Sequence, residues 1–265
     1  MDTRNSYTEL QPNTGGGPVS NVEIKVPERE PEEIDQRALK LLVGLIAIFL
    51  ANVCSFLSVT SIDSISASYV EGGWPRDFFV GSLFAISAFL MAYNGSSIKE
   101  KCISKVAGMS ALGVALFPCD CVKESLEKGA KLSDLTCGQL DALDRASPVH
   151  FLAAATLFIM LAMFCRIFYQ RAEKKSNKEA KLRKRIYLIC GIAMIASIVL
   201  MAAGSLLHTG FGVPRFTFQG ERAGLIAFGI SWLTASKVLP GLSSDKERLK
   251  LIKIKPVVKP AKPAI

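Results

Sequence analysis

Histidine is nearly absent from this chain, with two in 265 residues, and its seven cysteines form no repeated CxxC pairing. Zinc ribbons and finger arrays need four nitrogen or sulfur ligands at short spacing, so that class is excluded and no metal or cofactor is expected. No GxSxG run occurs, which removes the nucleophile elbow of the α/β-hydrolases. The apolar runs hold no ionisable residue near their middles, and an ion-coupled transporter normally needs one there. A cleaved secretory signal is not expected either. The first apolar run begins only near Leu41, behind a long polar tail, and reads as a retained helix.

What is abundant is segregated. Half of the residues are hydrophobic, 21% are charged and the mean hydropathy is +0.32. Such a mixture fits a chain in which apolar and charged blocks alternate, as in polytopic membrane proteins. Residues 1–38 are rich in Pro, Gly, Asn and Glu, carry no apolar periodicity, and read as a disordered cytoplasmic tail. Six apolar segments follow, at about 41–60, 78–94, 103–118, 150–168, 186–207 and 223–239. Most approach the roughly 20 residues that cross a bilayer core, the third being the weakest.

Charge decides how the third segment is read. If it crosses, 25 of the Lys and Arg residues fall on one side and 7 on the other. If it does not, the basic run 171–185 and the basic C-terminal tail land opposite the basic residues at 99–105, against the positive-inside rule. The expected architecture is therefore all-α: an integral membrane bundle of six transmembrane helices over 39–240, with both termini cytoplasmic. Outer loops fall at about 61–77, 119–149 and 208–222. The net charge of +9 becomes an orientation signal, and nucleic acid is not an expected partner. The bilayer is the expected partner, in the cell (inner) membrane if the source is bacterial. The Pro/Lys-rich tail 241–265 has seven Lys or Arg from Lys246 onward, which suits anionic inner-leaflet lipids or an ordinary solvated tail.

Four polar clusters fall on the expected outer face. Ser61–Tyr69 leads to Arg76 and Asp77, where Pro75 suits a first helical turn and Asp77 meets the positive end of a helix dipole. Arg76 and Asp77 read either as cap and ion pair or as the rim of a binding site. Cys119, Asp120 and Cys121 close the third segment, and a disulfide from Cys119 or Cys121 to Cys137 would constrain the loop by about 3 kcal/mol. His150 opens the fourth segment behind Ser147 and Pro148. His208 with Glu221 and Arg222 brackets the last outer loop.

These clusters support three functional readings. The first is an outer-face polar site that engages lipid head groups or a membrane partner, with Arg76, Tyr69, Glu221 and Arg222 as binding residues. The second is a membrane-embedded hydrolase or transferase acting on a lipid or small amphiphile. In it His150 is the general base, Asp77 or Asp120 orients it, and Arg76 holds an anion. The third is haem-linked electron transfer through His150 and His208.

The ordered pieces "SISASY", "RDFFVGSLFAISAFLMAYNG", "AGMSALGVALFPCD", "VHFLAAATLFIMLAMFCRIF", "RIYLICGIAMIASIVL" and "AFGISWL" resemble a DUF998-like group of mostly bacterial multipass membrane proteins of unknown function. The resemblance covers about 61–240. It implies a helical membrane bundle with Ser64, Ser66, Tyr69, Arg76, Asp77, Phe117, Pro118 and His150 toward the outer face, and it implies no particular activity. The two tails and the cysteine-bearing 119–146 loop depart from that pattern.

Overall fold

A computed structural model describes residues 35–117, 119, 146–207 and 210–243. They form seven helices and, among the described residues, no β-strand. The helices are α1 (Gln36–Leu57), α2 (Ala67–Glu71), α3 (Gly73–Ala92), α4 (Ile98–Leu116), α5 (Ala146–Glu173), α6 (Lys178–Leu206) and α7 (Phe216–Ser236).

Local chemistry sets the ends. The Asp35 carboxylate accepts from the Arg37 N–H at 2.8 Å and caps α1. Ser97 accepts from the Glu100 N–H at 3.3 Å, so α4 begins five residues ahead of the apolar run. Gly72, at φ 77°, separates α2 from α3 with a backbone conformation that a side chain would disfavour. Lys99, Glu100 and Lys101 are polar but helix-compatible, which is why hydropathy alone starts this helix late.

The six long helices form a closed ring. Each packs on its neighbour in the chain, from α1 and α3 through to α6 and α7, and α7 packs back on α1. Successive helices alternate in direction. One end, called proximal, holds the start of α1 and the finish of α7; the distal end holds the 58–66 loop and the starts of α3, α5 and α7.

Close approach comes from small residues and hydroxyls. A methyl group on Gly229 would lie 2.7 Å from the Gly44 carbonyl oxygen and 2.5 Å from Ile48 Cγ1, so α1 and α7 touch nearly backbone to backbone. Ser87 Oγ donates to the Gly108 carbonyl at 2.7 Å, and Ser104 Oγ donates to that of Leu90, binding α3 to α4. Such pairs are the usual cement where apolar burial supplies little drive between helices.

Four helices are long and apolar enough to cross a membrane: α1, α3, residues 148–173 of α5, and α6. Only 22% of the most apolar window of α6 is buried, so Ile189, Ile192, Val199 and Leu200 face outward and need an apolar medium. The helices α4 and α7 have the length but carry Lys99, Glu100, Lys101 and Lys105, and Gln219, Glu221 and Arg222, in their first two turns.

Candidate functional site

The α2–α3 corner brings two of the expected binding residues, Tyr69 and Arg76, together with Asp77, expected to orient a base. Gly72 reverses the chain, and Tyr69 before it and Arg76 and Asp77 after it line a distal cavity of about 460 Å³. Its remaining wall is apolar, from Val80, Phe84, Ala115 and Leu116. Arg76 Nε lies 3.6 Å from Asp77 Oδ1, with side chains 41% and 65% exposed. So exposed a pair contributes roughly 0–1 kcal/mol, and neither charge is locked away from a ligand. Trp74, 79% exposed, stands beside it.

His150 does not line this cavity. It is buried, and its Nδ1 donates to the Phe117 carbonyl at 2.7 Å, fixing the end of α4 whose Ala115 and Leu116 form the far wall. Cys119 Sγ lies 3.4 Å from the Ser66 carbonyl oxygen. Asp120, Cys121, Cys137 and His208 lie outside the described residues, as do 1–34 and 244–265 of the two tails.

Glu221 serves a different part of the distal end. Its Oε2 accepts from the Ile65 N–H at 2.5 Å, and Glu71 Oε1 accepts from Val59 and Thr60 at 2.5 and 3.1 Å. Arg215 Nε donates to the Ile62 carbonyl at 2.5 Å while its guanidinium stacks on Phe218. The 58–66 loop is thus tied down by two carboxylates and one guanidinium. Burial raises the Glu221 carboxyl to about 7, against the opposing pull of the Ile65 N–H. Arg222 Nε is buried and, among the described residues, has no hydrogen-bond partner.

Sequence reasoning missed the proximal end. Glu100 is fully buried there and ligated on both oxygens. Tyr93 Oη donates to Oε1 at 2.5 Å, the Ser96 N–H donates to Oε2 at 2.8 Å, and Arg171 forks onto both, at 3.0 Å to Oε1. Burial alone would raise the Glu100 carboxyl, but the Arg171, Tyr93 and Ser96 hydrogen bonds outweigh it and hold it below the ordinary value of 4.5. The "SIKE" run at 97–100 was a legible capping signal; its Arg171 partner, in another helix, was not.

Compared with protein-family models, curated proteins and solved structures, the chain matches none.

Proposed function

We propose that the chain is an integral membrane protein of six spans, with both termini cytoplasmic, that holds the head group of a lipid at its distal end. Four helices of membrane length support this, and α4 and α7 complete the same ring. The charge asymmetry supports a distal end facing away from the cytoplasm, in the inner membrane if the source is bacterial. The resemblance to DUF998-like proteins is in keeping with such a bundle.

The observation that carries the reading is the makeup of the cavity. It pairs a cation and an anion, Arg76 and Asp77, with an apolar wall of Val80, Phe84 and Leu116. A zwitterionic head group presents a phosphate and an ammonium a few bonds apart, and the acyl chain beneath it needs an apolar face. Tyr69 adds a hydroxyl at the rim.

The test is lipid retention by native mass spectrometry of the full chain during detergent exchange. The wild type retains phosphatidylethanolamine; Arg76→Gln and Asp77→Asn each lower that retention while the unfolding temperature is unchanged. Equal retention in all three proteins refutes the reading.

A further inference from the structure

We propose that a second distal cavity binds a free α-amino acid by its ammonium and its carboxylate. The cavity, of about 400 Å³, is lined by Asp63 of the 58–66 loop, by Gly204 and Ser205 at the end of α6, and by Arg215, Phe216 and Thr217 at the start of α7. It shares no lining residue with the Arg76 cavity.

Opposite charges line it without pairing. Asp63 is exposed, and among the described residues its carboxylate has no hydrogen bond and no ion pair. Its carbonyl oxygen takes the Phe218 N–H at 2.9 Å, which fixes the residue against α7. Arg215 is held at φ 53°, a strained conformation that persists only where the surroundings impose it. Its guanidinium lies 3.9 Å from the Phe218 ring centroid, with Nε on the Ile62 carbonyl and Nη2 on Ser55 Oγ at 3.2 Å. Among the described residues no acceptor takes Nη1, so a cation is fixed in place with donors to spare.

The helix ends add the same two signs. Helix α6 finishes at the cavity on carbonyl groups and α7 starts there on N–H groups, each end worth roughly half a charge. Arg215 gives α7 no side-chain cap, and the Phe216 and Thr217 N–H groups have no acceptor among the described residues. A lone anion would meet Asp63 and the end of α6, and a lone cation would meet Arg215 and the start of α7. A zwitterion satisfies both sets at once. Ser205, Val213 and Thr217 are exposed, so the cavity opens to the medium and admits a dissolved ligand. Val213 and Phe216 offer an apolar patch that suits one aliphatic side chain.

Leucine is therefore the probe. The full-length protein in neutral detergent binds tritiated leucine saturably in equilibrium dialysis. Isocaproate, which lacks the ammonium, and isoamylamine, which lacks the carboxylate, each displace it at least about tenfold more weakly than unlabelled leucine does, the worth of one charge-assisted hydrogen bond. Asp63→Asn weakens leucine by a similar factor, leaves isocaproate unaffected, and does not lower the unfolding temperature. Arg215 is left unaltered because it also ties down the 58–66 loop. No saturable binding, either half-molecule competing as well as leucine, or unchanged leucine affinity in D63N overturns the site. Displacement by dioctanoyl phosphatidylethanolamine as strong as that by leucine makes a lipid head group the occupant and overturns the free amino acid. If D63N does not fold, competition by the two half-molecules on the wild type decides in its place. Arg76→Gln leaves leucine binding unchanged, so failure of either cavity leaves the other standing.

Discussion

Removing Arg171 should cost more than removing Glu100, although the two form one ion pair. The reason is their unequal exposure: Arg171 is 38% exposed on its side chain and Glu100 is not exposed at all. In Arg171→Gln the carboxylate keeps Tyr93 and the Ser96 N–H but loses its counter-charge inside the bundle. Breaking a buried pair this way costs about 3–5 kcal/mol. Protonation caps the penalty. With an ordinary value of 4.5, neutralising the carboxyl at pH 7.5 takes about 4.1 kcal/mol, at 1.36 kcal/mol per pH unit. In Glu100→Gln the guanidinium can turn toward water, and the loss reduces to hydrogen bonds, about 1–3 kcal/mol.

The two variants therefore separate by pH. In the wild type the Glu100 value is depressed, so its stabilisation is complete above 4.5 and is lost as pH falls beneath that. In R171Q burial is no longer answered, the value rises, and the penalty is largest at neutral pH and shrinks on acidification. The assay is thermal unfolding of the full chain in detergent at pH 7.5 and pH 5. At about 2–4 °C per kcal/mol, R171Q should fall roughly 6–16 °C below wild type at pH 7.5 and recover most of that at pH 5. Comparing variant with wild type at each pH cancels the contribution of Glu221. A penalty equal at both pH values, or R171Q no less stable than E100Q, refutes the argument.

Three further outcomes follow from the packing and the distal end. Gly229→Ala should lower stability by about 1–3 kcal/mol or more, because the new methyl meets the Gly44 carbonyl; Gly81→Ala, with nothing within 4 Å, should be neutral or slightly stabilising. Thermal unfolding of the pair checks this, and similar losses would mean that α1 and α7 are not in backbone contact. The Glu221 carboxyl is raised to about 7, so the folded bundle gains stability as pH falls from about 7 toward 4.5 and loses it as pH rises; Glu221→Gln should flatten that slope. His150→Ala leaves the Phe117 carbonyl without its donor and should cost about 1–3 kcal/mol. It should also weaken lipid retention in the cavity by releasing the end of α4, whereas loss of retention at unchanged stability would give His150 a direct role.

What the sequence revealed depended on how far apart the interacting residues lie. Hydropathy located the apolar runs but not the helix ends, since charged residues prolong α5 to Ala146–Glu173 where the apolar count stops at 150–168. Tyr69, Arg76 and Asp77 were legible as a group because one glycine corner joins them, but the far part of the apolar wall, Ala115 and Leu116, comes from α4, some forty residues away. His150 was legible as a first-turn residue. Its partner is a backbone carbonyl, which leaves no trace in the sequence. Glu100 was concealed in the same way, inside a run of lysines that reads as a solvated helix start. A charge at the end of an apolar run can be a snorkelling side chain, a cap or half of a buried pair, and only the order of helices around the ring decides which. Here α4 lies between α3 and α5, and that single adjacency places Tyr93 and Arg171 on either side of Glu100.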